Sequence, residues 1–359
     1  MKTNITQLSK QEIYLFMEKL GQKPYRADQV IRWVYKKMAT SFDEMTDLSK
    51  DFREKLKETA FIGTLNILRR HVSIDGTHKF LFQLKDGETI ESVLIPNSTG
   101  QSHFTLCISS QVGCAVGCTF CMTGTLGLKR NLKAHEIVGQ VIAVKKYLTQ
   151  APIASSPPPL VRGCKGGVIS NIVFMGMGEP LNNFNELVHA LSTFTGLMGF
   201  SRRRITVSTA GIIPGIQRLA EIGPMVNLAI SLNATTDETR SSIMPVNKKY
   251  PLKKLLKACH EFPLPPNRSI TFEYVLLGGL NDTKDDALRL VKLLKGIKAK
   301  INLIPYNPVN SSEELKQPLE GSIEEFQNVL KKAGMTVIIR RSMGADISAA
   351  CGQLKAAYQ

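Results

Sequence analysis

Three cysteines, Cys114, Cys118 and Cys121, fall within eight positions in the segment GCAVGCTFC (113–121), in a chain of 359 residues with only seven cysteines. Thiolates packed this closely are soft metal ligands or redox groups. The spacing alone admits three chemistries. A closed zinc site needs a fourth ligand, for which His103 or His135 would have to serve. A Cys-x2-Cys redox pair would use Cys118 and Cys121 and leave Cys114 idle. An iron–sulfur cube is ordinarily held by four thiolates. With three, one iron keeps an open position, which is useless to an electron carrier but useful to an enzyme whose substrate chelates that iron.

Further residues could join such chemistry. The segment MGMGEP (175–180) places Gly178 where backbone can approach a ligand closely and Glu179 as an acceptor. Ser208, the run Ser231-Leu232-Asn233, and Asn307 each end an apolar stretch. Two more cysteines, Cys107 in TLCISSQVGC and Cys351 in GADISAACGQL, read by themselves as small buried hydrophobes, as does Cys259.

The elements that must position these residues are legible from periodicity. From residue 104 onward, six short apolar stretches alternate with helical patterns: FTLCISS, NIVFMG, RITVST, VNLAISL, ITFEYVLL and KINLIPY, separated by helices near 134–148, 184–196, 212–222, 251–261 and 284–295. Successive β-α units predict a parallel sheet, curled into a partial or full barrel with its chemistry at the carboxyl ends of the strands. Residues 151–168, rich in Pro, Gly and Ser, read as a surface loop holding an incidental Cys164.

Before this region the pattern differs. Ser9 and Glu12 form a capping-box signal, and Ile13, Phe16, Met17 and Leu20 recur at helical spacing. Gly21 and Pro24 end that helix, and Ile31, Val34, Tyr35 and Met38 begin the pattern again. Residues 61–98 alternate apolar and polar around Asp75-Gly76 and Asp86-Gly87, a signal for antiparallel hairpins. The expected division is a helical accessory domain at 1–60, a β-hairpin extension at 61–99, a barrel core at 100–345, and a terminal segment at 346–359 that carries Cys351.

Composition bounds the function. Lys and Arg outnumber Asp and Glu by 46 to 30, a net charge of +16, which attracts polyanions such as RNA as well as giving a solvated surface. Arg202–Arg204 precede the third strand and face the foot of a barrel, away from its chemistry. No apolar run approaches the ~20 residues of a membrane span, and the N-terminal stretch lacks the pattern of a secretory signal. A cytoplasmic enzyme is expected, with no disulfide framework.

The motif CAVGCTFC resembles the cluster loop of the radical S-adenosylmethionine superfamily. That resemblance implies a 4Fe–4S cluster on Cys114, Cys118 and Cys121, with the fourth iron open to S-adenosylmethionine. It assigns Gly178 and Glu179, with Ser208, Ser231, Leu232, Asn233 and Asn307, to cofactor binding. The expected fold is α/β, a partial (β/α)6 radical-SAM barrel with the helical accessory domain and hairpin extension.

Read together, VLIP, TLCISSQVGC, GLKRNL, NIVFMGMGEPLNN, ITVSTAG, LAISLNA, IPYNP and DISAACGQL resemble, in this order, the RlmN family of RNA adenine-C2 methyltransferases. The family's substrates imply 23S ribosomal RNA, at the peptidyl transferase centre, and tRNA, at the adenosine 3′ of the anticodon. Two molecules of S-adenosylmethionine are implied per turnover. One methylates Cys351 and the other yields the 5′-deoxyadenosyl radical that activates the methyl group. Cys107 is implied as the thiol that resolves a thioether RNA–protein adduct, closing a transient disulfide, and Glu91 as proton acceptor. A one-electron donor such as flavodoxin and a monomeric state are expected. Asn233 departs from the pattern, which commonly has His there. The rival readings are carbon-8 methylation of the same ribosomal adenosine, disfavoured by Pro180 and the helical unit, and a non-catalytic metal-containing RNA-binding protein.

Overall fold

A computed structural model of the chain describes residues 2–97, 103–150, 167–308 and 315–354. Most of the Pro-rich insert, Cys164 included, lies outside the described residues. The N-terminal unit opens with strand β1 (Thr3–Asn4), followed by helices α1 (Lys10–Lys19), α2 (Pro24–Ile31) and α3 (Lys50–Thr59), and closes with β2 (Ala60–Phe61), which pairs parallel with β1. The capping box forms: Glu12 N–H donates to Ser9 Oγ at 3.3 Å, and Ser9 N–H donates to Glu12 Oε2 at 2.7 Å. Pro24 both stops one helix and opens the next, because a first-turn position needs no N–H and favours the ring's fixed φ.

Next come β3 (Asn66–Val72), β4 (His78–Gln83) and β5 (Thr89–Pro96), an antiparallel meander whose turns fall at the two Asp-Gly pairs. Asp75 Oδ1 accepts the Thr77 N–H at 2.9 Å, and Asp86 Oδ1 accepts that of Glu88 at 3.2 Å. Each turn is thereby closed by an aspartate two residues upstream.

The core begins with β6 (His103–Cys107), a small ribbon strand β7 (Gln111–Gly113), the one-turn helix α4 (Met122–Thr125) and the partner ribbon strand β8 (Leu128–Asn131). Helix α5 (Ala134–Gln150) leads to β9 (Val168–Phe174), α6 (Phe184–Ser192), β10 (Ile205–Thr209), α7 (Ile213–Ile222) and β11 (Asn227–Ser231). Then follow α8 (Asp237–Ile243), α9 (Leu252–Glu261), β12 (Ile270–Leu276), α10 (Lys284–Leu293), β13 (Ala299–Pro305), α11 (Glu320–Lys332) and β14 (Thr336–Ile339).

One sheet of ten strands runs β14-β13-β12-β11-β10-β9-β6-β5-β4-β3. The seven strands from β14 to β6 are parallel, and β6 turns the sheet antiparallel by pairing with β5. This is the α/β architecture that the repeated β-α pattern predicts. The seventh parallel strand, β14, goes beyond the six apolar stretches. It is a four-residue edge strand with no residue fully buried, so it lacks the apolar run that marks a central strand. The meander is continuous with the barrel sheet: Val93 pairs with Cys107 on one side of β6, and Val173 pairs with it on the other. Arg204 sits at the foot of β10 and reaches Asn171 Oδ1 at 3.3 Å. Among the described residues no helix is long and apolar enough to cross a membrane.

Candidate active site

At the carboxyl ends of the parallel strands lies a cavity whose wall includes Cys114, Cys118 and Cys121. The loop that carries them is fixed by its backbone. Cys114 N–H donates to the Gly127 carbonyl at 2.9 Å, Thr119 N–H to that of Ile243 at 3.0 Å, and Met122 N–H to that of Gly352 at 2.7 Å. Its apolar members Val116 and Phe120 pack into a small cluster with Ala210, Ala234, Ile243, Met244, Leu277 and Tyr306. The three sulfurs are left facing one space.

Burial pushes Cys114 up to about 12 and Cys118 well above the ordinary thiol range, and the neighbouring cysteine thiols push further in the same direction. These are thiols that need positive charge to ionise, and a bound metal supplies it. Among the described residues no group of three His, Cys, Asp or Glu side chains could hold a single metal ion. A cube differs, because each thiolate takes its own iron.

The second-strand turn sits across the cavity. Gly178 has φ +99°, and a Cβ there would stand 2.5 Å from Gln111 Cβ, so only glycine fits. Glu179 is buried. Its Oε1 accepts the Leu181 N–H at 3.0 Å and its Oε2 that of Ala210 at 2.7 Å. Burial nevertheless raises its pKa to about 7, against those hydrogen bonds. Ser208, Ser231, Asn233 and Asn307 also line the cavity.

Leu232 is different: its side chain is fully buried and the residue is absent from the cavity wall. Its N–H donates to the Glu273 carbonyl at 3.0 Å. The Asn307 Nδ2 and Glu273 Oε2 atoms, on residues of the cavity wall, are buried and lack hydrogen-bond partners. Orphaned polar atoms are costly unless a ligand satisfies them. Three thiols on one loop, an acidic strand end and these orphans suit a cluster with a polar cofactor beside it.

Cys351 also lines this cavity, its surface open to it, with Gly352 alongside. Cys107 ends β6, almost wholly buried, and Glu91 lies on β5; neither is part of the cavity wall. Cys107 is close enough to Cys351 and Arg340 to feel both. Burial pushes its thiol up to about 12, Cys351 adds to the push, and Arg340 opposes it. All six described cysteines are free.

Comparison with known proteins decides the family. Residues 3–62 match the ribosomal RNA large subunit methyltransferase N-terminal domain, and residues 108–294 match the radical SAM superfamily. A dual-specificity RNA methyltransferase RlmN from Geobacter sulfurreducens is 52% identical, covering 98% of this chain and 92% of its own. Its counterpart in Geotalea uraniireducens is 49% identical over 99% and 97%. The chain belongs to the RlmN family of radical SAM methyltransferases. The crystal structure of a radical SAM methyltransferase from Sphaerobacter thermophilus superposes with a TM-score of 0.89 at 39% identity, covering 99% of this chain and all of that one.

Within this RlmN-family fold, Asn233 joins two strand ends. Its backbone is left-handed (φ 59°), a conformation that asparagine tolerates better than most residues. Its Oδ1 accepts the Val275 N–H at 2.9 Å, and its carbonyl accepts Asn281 Nδ2 at 2.7 Å, joining the ends of β11 and β12.

Glu273 and Arg240 are among the site residues that sequence reasoning missed. Glu273 reads as one polar residue in a strand, yet it is buried in the cavity wall, with Oε1 accepting from Asn302 Nδ2 at 2.8 Å. Arg240 reads as a solvated charge in DETRSSI, yet it is fully buried. Its guanidinium donates to the carbonyls of Leu232 (2.9 Å), Ala210 (2.6 Å) and Ser231 (3.0 Å) and to Asn247 Oδ1 (3.0 Å), tying together the carboxyl ends of β10 and β11. Arg240→Met is expected to destabilise the fold by on the order of 3 kcal/mol, because several buried acceptors lose their donor. A shift of the urea midpoint in anaerobic denaturation measures it, and an unchanged midpoint refutes the assignment.

Replacing any one of Cys114, Cys118 or Cys121 by alanine is expected to remove the broad iron–sulfur absorbance near ~400 nm. Persistence of that absorbance in reconstituted protein counts against the ligand set.

Proposed function

We propose that this radical SAM RNA methyltransferase methylates carbon 2 of adenosine, in 23S rRNA at the peptidyl transferase centre and in tRNA 3′ of the anticodon. It does so through a methylated Cys351 and a thioether RNA–protein intermediate. The observation that supports this most is a second pair of thiols beside the cofactor cavity. Cys351 lies in the wall shared with the cluster cysteines, and Cys107 lies within electrostatic reach of it. A plain RNA-binding protein with a structural metal has no use for that pair.

Cys114, Cys118 and Cys121 would hold the 4Fe–4S cluster. Gly178, Glu179, Ser208, Ser231, Asn233, Asn307 and the backbone of Leu232 would hold S-adenosylmethionine, two molecules being used per turnover. When bound, the two groups supply a transferable methyl group and a hydrogen-abstracting radical. Carbon 2 of adenine is electron-poor and not acidic, so displacement by an electrophilic methyl cannot reach it, whereas a carbon radical can.

Cys351 takes the methyl group as a thiolate. Burial pushes its thiol up, Arg340 opposes this, and Glu273 adds to it, so the guanidinium is the group that favours the nucleophile. After a hydrogen atom leaves the methyl group, its carbon bonds to carbon 2, tying Cys351 to RNA, and the adduct radical gives up its unpaired electron, which the cluster would accept. Glu91 accepts the proton lost from carbon 2. The Cys107 sulfur attacks that of Cys351, the carbon–sulfur bond breaks with its electron pair going to the departing carbon, and that carbon is protonated. The disulfide left behind returns to two thiols on external reduction.

The basic surplus suits both RNAs, since phosphate neutralisation supplies most of the nonspecific affinity. We take residues 1–60 as the accessory domain, 61–99 as the extension, 100–345 as the core and 346–359 as the carrier segment. The working protein is proposed to be a cytoplasmic monomer served by a one-electron donor such as flavodoxin. The test is anaerobic assay on unmodified rRNA and tRNA fragments with isotopically labelled S-adenosylmethionine, followed by nucleoside digestion and mass spectrometry. Label in 2-methyladenosine is expected; label in 8-methyladenosine, or in neither, overturns the proposal.

A further inference from the structure

The loop that carries Cys351 is docked on an element far from it in sequence, the turn joining β3 to β4. The contact is reciprocal. Asp75 of the turn accepts the Gly344 N–H at 2.7 Å. Asp346 of the loop accepts the Ser73 hydroxyl at 2.6 Å and the Ile74 N–H at 3.3 Å. Lys79, the second residue of β4, donates to the Ser348 carbonyl at 3.2 Å, and its ammonium also stands 3.3 Å from Glu91 Oε1. Both side chains of that ion pair are largely buried.

The loop is shaped for this dock. Gly344 has φ +69°, and a Cβ there would stand 2.9 Å from both Thr77 Cγ2 and Ala349 Cβ. Ala349 N–H closes back on the Gly344 carbonyl at 2.8 Å, and Ser348 is left-handed at φ 52°. A non-glycine residue in that region is strained, and persists where its surroundings hold it. Against the upward push of burial, hydrogen bonds from Gly344 and Thr77 keep the Asp75 carboxyl below its usual range. Farther along, the Gly352 and Leu354 carbonyls accept Met122 N–H and the Thr123 hydroxyl, each at 2.7 Å. Cys351 is thus suspended between the meander and the cluster loop.

We propose that the β3–β4 turn is the dock that fixes the Cys351 loop, and that Lys79 is a positioning residue holding that loop and Glu91 in one frame. This rests on the assignment of Cys351 as methyl carrier and Glu91 as proton acceptor. A flexible carrier must present its carbon to the target base and then its sulfur to Cys107. An amine shared between the carrier loop and the acceptor sets their separation in both steps.

The test uses anaerobically reconstituted full-length holoenzyme. Hydrogen exchange of amides 344–350 is compared among wild type, Lys79→Met, Lys79→Arg and Asp346→Ala, the last at an exposed position that leaves the core intact. Both Lys79→Met and Asp346→Ala are expected to speed exchange there by about tenfold. Lys79→Met is further expected to slow release of the RNA adduct by about tenfold while Cys351 still acquires its methyl group in whole-protein mass spectra, and Lys79→Arg to restore most of both properties. Wild-type exchange in both variants overturns the dock, and faster exchange with unchanged adduct release overturns the positioning role. Activity surviving in Cys351→Ala removes the underlying reading instead, leaving the exchange result to stand for the dock alone.

Discussion

Cys351→Ala is expected to lose methyl transfer to RNA entirely while keeping its iron–sulfur absorbance and its ability to bind S-adenosylmethionine. Outside the cluster loop, no other described cysteine combines an open surface with a place in the cavity wall: Cys259 is buried within α9, and Cys107 is buried at the end of β6. An alanine cannot accept a methyl group, so no carbon reaches the base, and the expected loss is below detection and not a graded slowing. Because Cys351 is not among the cluster loop's residues, the spectrum is the control. Labelled product from the alanine variant under anaerobic turnover rules out the carrier role, and a lost spectrum alongside lost activity gives the residue a structural part.

Cys107→Ala is expected to stop the reaction one stage later, with protein covalently joined to RNA. The Cys107 thiol is held protonated by burial, with a pKa of about 12, so it is no competitor for the first methyl group while Cys351 is free. Its task begins once Cys351 carries carbon bonded on both sides. Without it nothing attacks that sulfur, and the adduct accumulates to about one per active site. Denaturing gels of reaction mixtures with labelled RNA distinguish the outcomes, and a variant that releases methylated RNA at the normal rate ends the resolving role. Alanine is expected to keep the fold, because the cavity left is small.

The contrast between the cysteine loop and Arg240 explains how much could be read from residues alone. Three thiols in eight positions are a local signal, and so are a glycine-rich turn after an apolar stretch and an aspartate-glycine pair between alternating ones. Each depends on neighbours along the chain, and each appears where the spacing puts it. The parallel order of strands follows from the repeated β-α pattern in the same way. Arg240 carries no such signal, because its helix folds back over the ends of β10 and β11, whose carbonyls it caps. A charge amid polar residues looks solvated until the fold closes over it. Glu273 and Lys79 are silent for the same reason, and β14 because an exposed edge strand needs few apolar residues. What stays hidden is the set of residues whose partners are fixed by how the chain folds back and not by a spacing along it.

The ten-stranded sheet has a consequence for how copies of this protein meet. An open sheet ends in two rows of unsatisfied amides and carbonyls, each a template on which a neighbouring molecule could add a strand and start a fibre. One of those rows is β3, whose surface-exposed run includes Arg69, Arg70 and His71. Two copies approaching edge to edge along it would bring cation against cation before any ladder bond could form. The basic pair on this strand therefore keeps the sheet from growing.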